Sequence, residues 1–211
     1  MISSRKIWWL FPLILFVGIV ADQILKFYIK LNFTLGEEFV IFDWLRFLFV
    51  ENPGMAFGVT LGGKLFLTLF RIIVSGLMIW YVVKLIKLEY KVGYLVVVTL
   101  ILTGALGNII DCLFYGLIFT ESSYDTVAQL TAFGTGYAPC LMGRVVDMFY
   151  CPLFTFPDWV PFLGGEIFFS PIFNLADSYI TVSIFWLIIG YRKTFSESLD
   201  AVMPRKNEKK D

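Results

Sequence analysis

The sequence predicts an all-α membrane protein of four transmembrane helices, with both termini cytoplasmic, a small interfacial β-hairpin or cradle, and a long second outer loop. Three observations predict it. Hydrophobic residues fill 58% of 211 positions and charged residues only 16%, where a soluble domain carries about half and a quarter. With a mean hydropathy of +0.79, that surplus has to face lipid. Four apolar runs approach the ~20 residues that cross a hydrocarbon core. Lysine and arginine gather in every second connection, which fixes orientation.

Span one covers about 7–27. Arg5 and Lys6 precede it as in a cleaved signal peptide, but no small-residue cleavage site follows. Asp22 and Lys26 continue the segment, so it reads as retained. The outer loop at 28–64 holds Phe39-Val-Ile-Phe-Asp-Trp-Leu-Arg-Phe-Leu-Phe-Val, aromatic and branched residues around a break at Asp43. That pattern suits a hairpin with Trp and Tyr at headgroup level. Span two runs over about 65–83 with Arg71 inside it, and Lys84, Lys87 and Lys91 fill the short connection to span three at about 93–119. The second outer loop is rich in Gly, Pro and aromatics. Span four covers about 171–191, where Ser170-Pro171 reads as a cap with proline in the first turn. Arg192, Lys193, Arg205, Lys206, Lys209 and Lys210 follow, and the tail at 196–211 reads as polar, cytoplasmic and irregular. No internal repeat is visible.

Composition also excludes chemistries. Net charge is zero and histidine is absent, so neither a nucleic-acid partner nor imidazole catalysis is expected. Cys112, Cys140 and Cys151 form no CxxC pair, and no metal or cofactor is expected. Acid–base work falls to carboxylates, lysine, tyrosine or cysteine.

Ionisable residues inside spans usually mark function, and here they converge. At about 1.5 Å rise per residue, Asp22 lies roughly 24 Å beyond Lys6 and Asp111 roughly 27 Å beyond Gly93, both near outer ends. Asp177 lies roughly 10 Å inside the outer start of span four. Asp147 precedes that start, and Asn52, Asn108 and Asn174 fall at similar heights. Faces agree too. Asp22 and Lys26 are four apart; Gly104, Gly107, Asn108 and Asp111 share a face whose glycines admit a close neighbour; Asn174, Asp177, Ser178 and Thr181 line another. Asp22/Lys26 reads as a structural ion pair or a catalytic pair, and Asn108/Asp111 as packing or site support. Arg71 pairs with a carboxylate or snorkels. Asp147, between Val145-Val146 and Met148-Phe149, is a turn residue or a functional carboxylate.

These residues resemble the lipoprotein signal peptidase (signal peptidase II) family over nearly all of Ile7–Tyr191. Asp22-Gln-Ile-Leu-Lys26 is similar to its first-span motif, with Leu25 where threonine is common. Asn52-Pro-Gly-Met-Ala-Phe-Gly58 resembles its Asn-x-Gly-x-Ala-Phe-Gly motif, and Gly104-Ala-Leu-Gly-Asn-Ile-Ile-Asp111 its third-span motif. Val145-Val-Asp147 and Phe173-Asn-Leu-Ala-Asp177 look like the motifs that carry its catalytic aspartates. Two departures stand out. Cys112 replaces the usual arginine, leaving Arg144 or Arg71 to supply its support, and 116–142 looks like an insertion.

The resemblance implies a single membrane-embedded peptidase domain at 1–195, in a bacterial inner membrane with its site at the outer face. It implies an aspartyl endopeptidase that removes signal peptides from prolipoproteins before a diacylglyceryl-modified cysteine. Asp147 and Asp177 would form the dyad, since two close carboxylates share one proton and can serve as base and acid. Asp22, Lys26, Asn52, Gly54, Ala56, Asn108, Asp111, Arg144 and Asn174 would bind substrate or support the site. Implied partners are diacylglyceryl-prolipoproteins, membrane lipids and globomycin-type cyclic peptide inhibitors. Cys140 and Cys151 are either bridged outside the membrane or free. Three rivals fit less well. A transporter would place its carboxylates near the midplane with repeats, a metal-dependent transferase would face the cytoplasm, and an assembly factor leaves the motif set without a purpose.

Overall fold

In the computed structural model, which describes residues 4–53 and 63–203, helices surround one central helix and a small sheet lies across one end of them. The order is α1 (Ser4–Asn32), β1 (Glu38–Phe42), β2 (Leu45–Asn52), α2 (Lys64–Lys87), α3 (Val92–Ile110), a π-helical turn (Asp111–Tyr115), α4 (Gly116–Ile118), β3 (Val145–Tyr150), β4 (Phe154–Thr155), β5 (Ile167–Phe168), β6 (Ile172–Phe173), α5 (Leu175–Gly190) and α6 (Arg192–Val202). Three helical stretches, Trp8–Asn32, Lys64–Lys87 and Val92–Ile118, are long and apolar enough to cross a membrane. Leu175–Gly190 is apolar but shorter.

Helix α3 packs against α1, α2 and α5. Its glycines make that possible. A side chain at Gly104 would strike the Ala176 carbonyl and Ile180, and one at Gly107 would strike Asp22 and Ala176. Outward faces stay apolar, with Phe16 and Ile24 on α1 and Phe185 and Ile189 on α5 all exposed, as a bundle solvated by lipid requires. One core cluster joins Tyr81, Leu85, Tyr94, Val98, Leu102 and Val202; another joins Ile29, Phe33, Phe49, Tyr115, Phe119, Val146 and Met148 beneath the sheet. The buried carboxylates lie between them.

The four-stranded antiparallel sheet has the order β1-β2-β3-β6. Register sets Val50 opposite Asp147, Asn52 opposite Val145, and Phe149 opposite Phe173. A second, two-stranded sheet pairs β4 with β5.

Three boundaries differ from the sequence expectation. Helix α1 runs on to Asn32, because Ile29, Lys30 and Phe33 bury against the sheet and keep the chain helical past the apolar run. Helix α5 starts at Leu175, with Asn174 rather than Ser170 as its cap; Ile172 and Phe173 pair with β3 instead. Within the described residues, the tail is helical rather than irregular as far as Val202, and 204–211 lie outside them. It forms amphipathic α6, whose buried Ser198 meets the Tyr81 and Tyr94 hydroxyls at 2.5 and 2.8 Å.

The loop after α4 has little regular structure, yet its backbone folds onto the end of α3. Gly143, Ala138, Gly134 and Thr131 donate their N–H groups to the carbonyls of Cys112, Gly116, Leu117 and Ile118. Those carbonyls end a helix and have no partner further along it. A continuing α-helix would have claimed them; here the loop supplies the donors.

Candidate active site

Lys26 organises the buried polar groups. It is fully enclosed, and its ammonium sits 3.0 Å from Asp22 Oδ2 and 2.8 Å from Asp111 Oδ2, both carboxylates equally buried. Its third proton reaches Asn108 Oδ1 at 2.9 Å. Three donors thus meet three acceptors, which is what keeps a buried ammonium tolerable.

Each of the two carboxylates has a free oxygen lone pair to spend on backbone. Asp22 Oδ1 accepts the Ala176 N–H at 2.9 Å, and Asp111 Oδ2 accepts the Val146 N–H at 3.2 Å. Ala176 precedes Asp177 and Val146 precedes Asp147. The ion cluster therefore holds the two flanking peptides, not the two aspartates themselves. Gln23 completes it, donating to Asp111 Oδ1 at 2.9 Å and to the Gly107 carbonyl at 3.2 Å, while accepting from Tyr115 at 3.0 Å.

Asp147 and Asp177 are linked through one asparagine. Asn174 Nδ2 donates to Asp147 Oδ1 at 2.6 Å, and its Oδ1 accepts the Asp177 N–H at 2.9 Å. Asp177 Oδ2 in turn accepts the Asn174 N–H at 3.3 Å, closing a reciprocal cap at the start of α5. Asn108 donates to Asp177 Oδ1 at 2.8 Å and accepts from Asn174 at 3.1 Å. The Asn52 side chain also hydrogen-bonds Asp147. Burial pushes the Asp147 carboxyl up to about 7, and the neighbouring Asp177 charge adds to the rise, while Asn174, Lys26 and Asn52 oppose it. Among the candidates from sequence, Asp22, Lys26, Asn52, Asn108, Asp111, Asp147, Asn174 and Asp177 come together. Gly54 and Ala56 lie outside the described residues.

Arg144 sits in a second cluster. Its guanidinium bridges Glu51 Oε2 at 3.0 Å and Glu121 Oε1 at 2.8 Å, and it stacks over the Tyr137 ring at 5.2 Å. Lys30, also enclosed, pairs with Glu51 Oε1 and meets Ser122 Oγ at 2.9 Å. Arg71 reaches Cys112 Sγ at 3.7 Å. Cys112, Cys140 and Cys151 are free thiols, so no bridge joins Cys140 to Cys151.

The sequence reading missed Gln23, Lys30, Glu51, Ser122, Tyr115 and Tyr137. For Lys30 a signal existed, since Asp22, Lys26 and Lys30 form a stripe at four-residue spacing along one helical face. Glu51 anchors the loop to β2 beside Asn52. Glu51→Ala should strand the Lys30 charge and lower unfolding free energy by about 3 kcal/mol or more; a denaturant midpoint equal to wild type would contradict this.

Apolar helices that converge two linked aspartates on a sheet at one end define a class, the membrane-embedded aspartic peptidases. Comparison with known proteins agrees. The profile of the family described as signal peptidase (SPase) II matches residues 14–192, and the chain belongs to that family. It is 48% identical over 187 residues to a lipoprotein signal peptidase of Porphyromonas gingivalis, covering 86% of this chain and 82% of the relative. A lipoprotein signal peptidase of Amoebophilus asiaticus is 33% identical over 204 residues, covering 92% and 82%. Two solved structures described as bacterial membrane enzymes share the fold. One has a TM-score of 0.58 at 23% identity, covering 94% and 93% of the two chains. The other has a TM-score of 0.55 at 26% identity, covering 85% and 90%.

Proposed function

We propose that the chain cleaves prolipoproteins in a bacterial inner membrane, cutting before the diacylglyceryl-modified cysteine, with water activated by Asp147 and Asp177. In this reading both termini are cytoplasmic and the dyad is at the outer face, where water reaches it and acyl chains stay in lipid. Helix α5 serves as the fourth span. The observation that carries this reading is Asn174, one side chain that bonds Asp147 and caps the helix bearing Asp177.

The dyad shares one proton, resting on Asp147, while Asp177 faces the Asn108 amide as an anion. Asp177 takes a proton from water as its oxygen attacks the scissile carbonyl carbon. Asp147 gives its proton to the carbonyl oxygen, forming a neutral gem-diol. Collapse returns a proton from a gem-diol hydroxyl to Asp147, and Asp177 protonates the leaving amine. Asn52, which hydrogen-bonds Asp147, is assigned to substrate backbone, as are Gly54 and Ala56 on the likeness of their motif. Arg144 acts through Glu51, as a positioning residue.

The test is hydrolysis of a diacylated precursor peptide by purified protein, with and without a chelator and across pH. Cleavage before the lipidated cysteine, insensitive to chelator, is expected. A peptide cut elsewhere, or an activity abolished by chelation, would refute the assignment. On the alkaline side, Asp147 loses its proton near pH 7, both carboxylates become charged, and the acid is gone. Turnover should therefore fall as pH rises through about 7, and a rate that stays flat to pH 9 would contradict the shared proton. Globomycin-type cyclic peptides are expected to inhibit at the same site.

A further inference from the structure

The sheet register brings two aromatic tips to one end. Arg46, just after the β1–β2 turn, pairs with Tyr150 at the end of β3, and Tyr150 pairs with Ile172 at the start of β6. The segment 151–171 thus leaves and re-enters the sheet beside the Phe42–Trp44 turn. At that turn the two rings stack at 5.6 Å, and both are more than half exposed.

Segment 151–171 is a closed hairpin. Phe154 stacks on Phe168 at 4.8 Å, and Phe156 packs edge-on against both. Its tip satisfies its own backbone: Phe156 donates to the Glu166 carbonyl, Gly165 to Phe156, Gly164 to Val160 and Glu166 to Leu163. Yet Trp159 is 82% exposed and Phe162 entirely so. Phe162 is also held at φ 64, a backbone state that bulky residues avoid. No lysine or arginine occurs between Cys151 and Pro171. A tip that pairs much of its own backbone and bares aromatic rings beside the carboxylates Asp158 and Glu166 is suited to the headgroup boundary, rings toward lipid and charges toward water.

Height agrees. Ile172 stands two residues before Asn174, the α5 cap, so the hairpin base lies within about 7 Å along the chain of the point where α5 begins. Apolar surface then continues along α5 through Val182, Phe185 and Ile189.

We infer that the hairpin 151–171, together with the Phe42–Trp44 turn, seats in the outer phospholipid leaflet at the boundary of headgroups and acyl chains. Trp159 and Phe162 are its inserted residues. With two carboxylates, Asp158 and Glu166, and no basic residue, the hairpin holds by apolar contact and gains nothing from anionic lipid. The Tyr150 end of β3, three residues past Asp147, and the Ile172 end of β6, which leads to Asp177, are then tied to the membrane surface.

The test compares wild type with Trp159→Phe in phosphatidylcholine bilayers whose acyl chains are brominated near the headgroup or near the terminal methyl. The fluorescence difference between the two proteins reports Trp159 alone. It should be largely lost with shallow bromines, much less with deep ones, and not strengthened by added phosphatidylglycerol. A Trp159 signal quenched by aqueous acrylamide and not by bromine overturns the inference, as does one shielded from both, which means a protein contact. Phe162→Asp should weaken the shallow quenching and Phe162→Leu should restore it. None of these readouts needs substrate, so they stand apart from the cleavage assay.

Discussion

Asp147→Asn and Asp177→Asn are each expected to lower cleavage of a diacylated precursor by at least about 10³-fold, while the proteins insert and unfold at nearly the wild-type denaturant concentration. Asparagine suits the experiment because it keeps the contacts and removes the chemistry. At position 177 the amide oxygen can still accept the Asn174 N–H that closes the helix cap. At position 147 it can still accept from Asn174 Nδ2. What is lost is the carboxyl that takes or gives a proton. Single-turnover rates and denaturant midpoints on the same preparations separate the two effects. A well-folded variant retaining a tenth of wild-type turnover would remove its aspartate from the dyad.

Lys26→Met should do the reverse, damaging the fold at least as much as the rate. It leaves Asp22 and Asp111 facing each other without a cation, and losing one partner of a buried pair costs about 3–5 kcal/mol. The loss spreads, because Asp22 also holds the Ala176 peptide and Asp111 the Val146 peptide. Adding Asp111→Asn should recover part of the stability, since it removes a stranded charge. The two substitutions would then be non-additive in a double-mutant cycle. A Lys26→Met protein as stable as wild type but inactive would move this lysine from the scaffold into the reaction.

The level at which the carboxylates meet was legible in the sequence because helix rise converts residue number into depth. Faces were legible because residues four apart on a helix must align, which is why Asp22, Lys26, Asn108 and Asp111 could be grouped. What failed were features set by pairing between distant segments. Hydropathy continues through Ile172 and Phe173, so it cannot say that they join β3 and leave the cap to Asn174. Polarity after Phe195 suggested an irregular tail, yet Ser198 finds two tyrosine hydroxyls on other helices and α6 forms around that contact. Glu51 carries no local mark of its role. Its partners, Lys30 and Arg144, lie 21 and 93 residues away, and no local pattern records such a distance.

The loop that follows the π-helical turn has a consequence for anyone who would transplant it. Because its N–H groups bond the carbonyls of Cys112 in the π-helical turn and of Gly116, Leu117 and Ile118 in α4, the loop and the helix end melt or persist together. Excising 120–142 would not return a simpler enzyme; it would fray the wide turn that presents Asp111 to Lys26. A graft that respects the chemistry has to carry everything from the α3 turn before Asn108 through Gly143 as a unit, rather than start at the visible edge of the loop.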